Sequence, residues 1–202
     1  MAKPEKLDLY KVHKAEYVAP RKPALVKVGP AKYLTFAGRD KPGGPVFQAA
    51  IGALYAMAFT IKMAYKFEGQ DYKVCHLEGL FWTASGEAFS EDPAQPLEWK
   101  LLIRVPDFIT ALNLKAAAVQ LKLKGKAPEA AQVKLETLRE GRCVQMLHIG
   151  PYCDEPRSIA QMKAFAEEQG LALKGPHHEI YLSDPRRVAP EKLRTILRYP
   201  VG

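Results

Sequence analysis

Gly175-Pro176-His177-His178-Glu179-Ile180-Tyr181-Leu182-Ser183 is a short alternating run, and its period of two marks a β-strand. Ile180 and Leu182 fall on one face; His177, Glu179, Tyr181 and Ser183 fall on the other. On a face open to bulk water a lone carboxylate is ordinary. In a pocket among aromatic rings it binds a cation or activates water, so the question of function turns on Glu179.

A related pattern lies upstream. His76-Leu-Glu-Gly-Leu-Phe-Trp82 also places a Glu two residues after a His, and it overlays His177-His-Glu-Ile-Tyr-Leu-Ser183. Outward from these runs the chain repeats its order of elements. Ala24–Val28 and Lys32–Gly38 alternate on either side of Gly29-Pro30, which reads as a β-hairpin. A long helix over Val46–Phe67 ends at Gly69. A strand over Tyr72–Thr83, a polar loop over Ala84–Leu97 and a strand over Glu98–Val105 complete this half. A helical connector runs from Asp107 to Lys124. Then Val133–Leu138 and Arg142–Ile149 alternate about Glu140-Gly141, and a helix near Pro156–Gln169 carries the apolar stripe Ile159, Met162, Phe165 and Ala166. Strands over His177–Ser183 and Leu193–Arg198 close the chain, and Val28–Gly38 matches Leu138–His148 in pattern.

The fold expected is α+β, a tandem pseudo-twofold duplication of a strand–helix–strand–strand unit. Its antiparallel sheets face each other around a central ligand cleft. Residues 1–20 form a loosely packed leader; residues 21–202 form one domain, with half-repeats at about 21–105 and 132–200 and the connector at 106–131.

Composition narrows the function classes. The formal net charge of +8 permits an anionic partner, but the excess is dispersed, and the four lysines of Lys115–Lys126 read as a solvated helix face. Cys75, Cys143 and Cys153 are an odd set with no CxxC pair, which points to a reducing compartment and away from a thiolate zinc site. The N-terminus lacks the apolar stretch of a signal peptide, and Val46–Tyr65 carries Gln48 and Lys62, as suits a buried helix rather than a membrane span. A cytoplasmic location is expected.

His177 and His178 are adjacent and point to opposite faces, so they do not ligate one metal together. His13, His76 and His148 have no ligand spacing around them, and no metal or cofactor is expected. Cys153 has no base at a fixed spacing and reads as an inert thiol. Neither a phosphate-cradling glycine loop nor a nucleic-acid motif occurs, so direct DNA binding is not expected. The chemistry-bearing residues are therefore Glu78 and Trp82 in one half, and His177, Glu179 and Tyr181 in the other. Glutamates enclosed by rings fit a cationic or polarisable ligand. The alternative is that the rings are core and the glutamates are paired rim residues.

Arg142-Cys-Val-Gln-Met-Leu-His-Ile-Gly-Pro-Tyr-Cys-Asp-Glu-Pro156, together with His177 to Arg187, resembles the GyrI-like small-molecule-binding proteins. Leu77–Trp82 and Glu98–Pro106 are similar to stand-alone members, which include a cyclopropanoid cyclopropyl hydrolase-like group. The resemblance covers about residues 20–202. It implies two strand–helix–strand–strand units around a ligand cleft. The glutamate with which multidrug-sensing members hold cationic aromatic compounds falls on Glu179. In the hydrolase-like group, a glutamate and a cleft aromatic that open a cyclopropane ring fall on Glu179 and Trp82. The 20-residue leader is too short for the DNA-binding module that other members carry. The resulting expectation is a binding protein for hydrophobic, cationic small molecules, with Trp82, Tyr152, Tyr181, Glu78 and His177 lining the cleft and Glu179 as anchor. The alternatives are a hydrolase that uses the same glutamate, and a regulator acting by protein–protein contact.

Overall fold

The computed structural model describes residues 6–83 and 97–202. The loop expected over Ala84–Leu97 lies almost wholly outside the described residues, as do the first five residues of the leader. Two single-turn helices, α1 (Leu9–Val12) and α2 (Lys14–Tyr17), precede strands β1 (Ala24–Val28) and β2 (Ala31–Arg39). Helix α3 (Pro45–Phe67) leads to β3 (Leu77–Thr83) and β4 (Leu97–Arg104), and α4 (Ala111–Leu123) connects to the second half. There β5 (Lys134–Leu138), β6 (Gly141–Ile149), α5 (Glu155–Glu168), β7 (His177–Tyr181) and β8 (Arg194–Pro200) follow.

The expected pair of facing sheets is not what forms. All eight strands join one antiparallel sheet in the order β1-β6-β8-β7-β3-β4-β2-β5. Nor is the hairpin expected about Gly29-Pro30 present. β1 pairs with β6, while β2 pairs with β4 and β5. The turn chemistry explains this at Gly29-Pro30. A two-residue hairpin turn needs a positive φ at its first central residue, and Gly29 is not among the positive-φ glycines. Pro30 is fixed near −65° and has no N–H to donate.

The connection also forces the sheet to curl. In a flat sheet, β1 and β2 would lie six strand spacings apart, about 29 Å. Three Cα steps from Val28 to Ala31 reach only about 11 Å. The same holds for Leu138 to Gly141 between β5 and β6. The two edges must therefore approach each other, giving a half-barrel.

One face of the sheet is covered by helices. Gly44 caps α3, Pro45 occupies its first turn, and Gly69 at φ 85 follows its end. Ala50, Ala53, Leu54, Met57 and Ile61 pack against Leu34 and Phe36 of β2 and Trp99, Leu101 and Ile103 of β4. The Trp99 indole fills the space that a side chain at residue 38 would need, which is why Gly38 stands there. Met162 and Ala166 of α5 pack on Val144 and Met146 of β6 and Leu197 and Tyr199 of β8. The central strands β3 and β7 run between the two helices.

The opposite face is closed by the N-terminal segment, which is tied down rather than loose. Glu16 and Tyr17 are buried. Glu16 accepts from Arg104 Nη1 at 2.5 Å, and Tyr17 donates to Glu78 Oε1 at 3.1 Å. Arg198 Nη2 donates to the Glu16 carbonyl at 2.5 Å, and Gln145 Nε2 to that of Ala15 at 3.0 Å.

Candidate functional site

Antiparallel partners share a face, and successive residues alternate between faces. β3 and β7 pair Gly79 with Glu179 and Phe81 with His177; on the other face they pair Glu78 with Ile180 and Leu80 with His178. Glu179, His177 and Tyr181 thus project on the helix-covered face. Glu78 and Trp82 project on the leader face. The overlay of His76–Trp82 on His177–Ser183 is one residue out of phase, and such a slip turns every side chain to the other side. Trp82 packs beside Tyr33, Leu80 and Leu102 and donates its indole N–H to Glu98 at 2.8 Å. The structure therefore does not bring Trp82 or Glu78 to Glu179. Ser183 is also elsewhere in role: its hydroxyl accepts from the Arg194 N–H at 3.1 Å.

Of the expected set, His177, Tyr181 and Tyr152 do gather around Glu179, and Glu155, Phe81 and Tyr199 join them. His177 Nε2 lies 3.2 Å from Glu179 Oε1 and 3.8 Å from Glu155 Oε2. All three residues are buried. Glu155 is the first residue of α5, a position that favours a negative charge. Its other oxygen, Oε1, is buried without a hydrogen-bond partner among the described residues. The Tyr181 phenol faces the Glu179 carboxyl group, and its ring meets Tyr152 edge-on at 6.0 Å. Tyr199 lies 4.9 Å from the His177 ring. Gly79 makes room opposite Glu179: a Cβ there would stand 2.7 Å from the Phe81 ring and 3.2 Å from the Tyr181 hydroxyl. Phe81 thus supplies the aromatic neighbour from β3 that the sequence assigned to Trp82.

The protonation states are split. Burial, then the Glu179 charge, pushes the Glu155 carboxyl up to about 7. Burial opposes the charged form of His177, but the two carboxylates outweigh it and raise the imidazole to about 9. Burial and the nearby Glu179 push the Tyr152 phenol up to about 12. At neutral pH the cluster holds an imidazolium beside a Glu155 carboxyl near its midpoint. The ligand atoms of Glu155, His177 and Glu179 all lie within 4.8 Å of one another, a spacing that fits a small divalent ion. A protonated His177 offers such an ion no lone pair, so loading would first displace that proton.

The sequence reading missed Glu155, Phe81 and Tyr199. Glu155 had one available signal: it stands in Asp154-Glu155-Pro156, acids and a proline at a helix start. Nothing in the spacing says that this helix start meets the strand of Glu179.

Residues 28–201 match the GyrI-like small molecule binding domain. An uncharacterized conserved protein from Listeria innocua has 40% identity and a TM-score of 0.90, covering 98% of this chain and 100% of its own. A hydrolase from the same organism has 39% identity and a TM-score of 0.88 over the same shares. The C-terminal domain of EcmrR, at 12% identity and a TM-score of 0.56, shares the fold over 90% of this chain and 97% of its own. Comparison with curated proteins finds no match.

Proposed function

The chain belongs to the GyrI-like small-molecule-binding family, and from that premise we propose that it hydrolyses a hydrophobic, electrophilic small molecule at Glu155, His177 and Glu179. The carrying observation is two buried carboxyl groups joined through one imidazole, with Glu155 set apart from Glu179 by its rise to about 7. That division gives a proton acceptor and a proton donor in one site at neutral pH. The similarity to a Listeria innocua hydrolase at 39% identity supports this reading.

The reaction that fits is hydrolytic opening of a cyclopropane conjugated to a carbonyl. Glu179 takes a proton from water as the water oxygen bonds to the ring carbon. The ring carbon–carbon bond breaks, and its electron pair moves through the conjugated system to the carbonyl oxygen. Glu155 gives that oxygen a proton, and His177 returns the proton from Glu179 to Glu155. The sum is addition of one water. Tyr152, Tyr181 and Phe81 supply flat apolar walls for the substrate. A cytoplasmic location is part of the same proposal, in keeping with the free thiols of Cys75, Cys143 and Cys153.

The test is incubation with a cyclopropane-bearing alkylating compound, followed by mass spectrometry. A product heavier by one water is expected from the wild type and not from Glu179→Gln. Equal product from both sinks the assignment.

A second reading, capture of cationic aromatic ligands without turnover, is supported by the edge-on Tyr152–Tyr181 pair beside Glu179. Against it, the imidazolium of His177 already neutralises much of the charge that would attract a cation. Thermal shifts with cationic dyes, compared between wild type and Glu179→Gln, separate the two. The strand order reads the same from either edge when β1–β4 are exchanged with β5–β8, which supports a further proposal that the halves arose by duplication.

A further inference from the structure

Helices α3 and α4 leave a broad apolar surface exposed. On α4, Leu112, Val119 and Leu123 are 75%, 58% and 82% exposed, and Ala116 between them is exposed as well. Positions 112, 116, 119 and 123 follow the helical period and form one stripe. It lies opposite the stripe of Ala117 and Leu121, which is buried against the core built around α3. Lys115 and Lys122 border the outer stripe on one side. Gln120 and Lys124 border it on the other, where they meet Phe59, Met63 and Phe67 of α3 across a groove of about 320 Å³. Phe59 is 52% exposed and Phe67 82%. Single exposed apolar residues need no explanation, but a contiguous set with a polar border marks an interaction site.

Charge selects the occupant. No acidic residue occurs between Asp107 and Glu129, or anywhere in α3, whereas Lys66, Lys115, Lys122, Lys124 and Lys126 are all exposed. Two copies meeting through this face would set lysines against lysines with few carboxylates to answer them. An anionic bilayer offers phosphates for the lysines and an acyl boundary for the leucines and phenylalanines.

We propose that the α3–α4 face docks on the surface of an anionic lipid bilayer. Leu112, Val119, Leu123, Phe59 and Phe67 enter the boundary between headgroups and acyl chains, and the lysine rim sits at phosphate level. Helix α3 does not span the membrane in this arrangement: its other face is the core of the domain. The four-lysine segment therefore gains a role beyond solvation. Hydrophobic small molecules concentrate in bilayers, so docking would place the protein where such compounds accumulate.

The test is co-sedimentation of the full chain with vesicles of phosphatidylglycerol and phosphatidylcholine in equal parts, against vesicles of phosphatidylcholine alone. Binding to the anionic vesicles is expected. It should weaken about tenfold or more in Leu123→Glu and in Lys122→Glu/Lys124→Glu, and fall with added salt. Each changed side chain is exposed, and thermal unfolding like that of the wild type checks that the variants fold. Failure of the wild type to sediment overturns the proposal, as does equal binding by both variants. A solution dimer that Leu123→Glu splits would assign the face to a second copy instead. Vesicle binding does not depend on Glu179, so its outcome is independent of the hydrolysis test.

Discussion

His177 and His178 are neighbours on one strand, each between two buried glutamates, and they do opposite things. His178 Nε2 lies 3.0 Å from Glu78 and its Nδ1 lies 2.8 Å from Glu140. That network is then closed: Arg198 donates to Glu140 at 3.0 Å, and Tyr17 donates to Glu78. Burial would raise the Glu140 carboxyl, but His178 and Arg198 outweigh it and hold it at about 2. Across the strand, Glu155 and Glu179 pair with His177 and, among the described residues, neither carboxyl group pairs with an arginine; Glu155 rises to about 7. The cationic partner separates the two. With arginine Glu140 is locked as a charge in the network that holds the leader to the sheet; without it Glu155 titrates near neutral pH.

The largest expected effect falls on the open side. Glu179→Gln should lower the rate of ring opening by roughly 10²–10⁴-fold, the usual range for loss of a general base. Its thermal unfolding should move little, and a large fall in melting temperature would show that Glu179 is structural like Glu140. On the closed side the pattern reverses. Glu140→Gln leaves Arg198 and His178 short of a carboxylate in a buried site and should cost about 3 kcal/mol in urea unfolding. Wild-type stability in that variant would mean that water replaces the pair. A smaller effect, about 1 kcal/mol, is expected for Tyr17→Phe, which strands an oxygen of Glu78. An unchanged urea midpoint would show that the leader is held by Glu16 and its arginines alone.

Part of this contrast is legible in the sequence, and part arises only from strand pairing and tertiary contact. Strong periodicity located α3, α5 and seven of the strands to within a few residues, because burial on one face demands it. The opposed directions of His177 and His178 also follow from alternation alone. The pairing of strands does not. Gly29-Pro30 looks like a hairpin turn until the φ of Gly29 is known, and the swap of β1 and β5 between halves leaves no local mark. The His-x-Glu match aligned Glu78 with Glu179, whereas the ladder sets Gly79 opposite Glu179. A match of residue types cannot detect a one-residue slip in a strand, yet that slip moves Glu78 and Trp82 out of the site. Glu155 was out of reach because a helix start and a strand meet there only through the tertiary fold.

The two sides also part through pH. Glu140 has a lowered folded value, so its stabilisation is present above its ordinary value of 4.5 and is lost as the pH falls toward about 2. The open cluster has the opposite sign. Glu155 is raised from 4.5 to about 7, so the unfolded chain releases that proton first and stability declines as the pH rises between those values. His177 is raised from 6.5 to about 9; its contribution is complete below 6.5 and fades as the pH rises through 9. Stability of the wild type should therefore drop on the acid side through the closed network and drift down above pH 5 through the open cluster. Glu155→Gln should flatten the part of that drift between about 4.5 and 7 and leave the acid limb alone. Urea midpoints across this range in both proteins make the check. An acid limb that changes with Glu155→Gln would mean that the two faces of β7 titrate as one network.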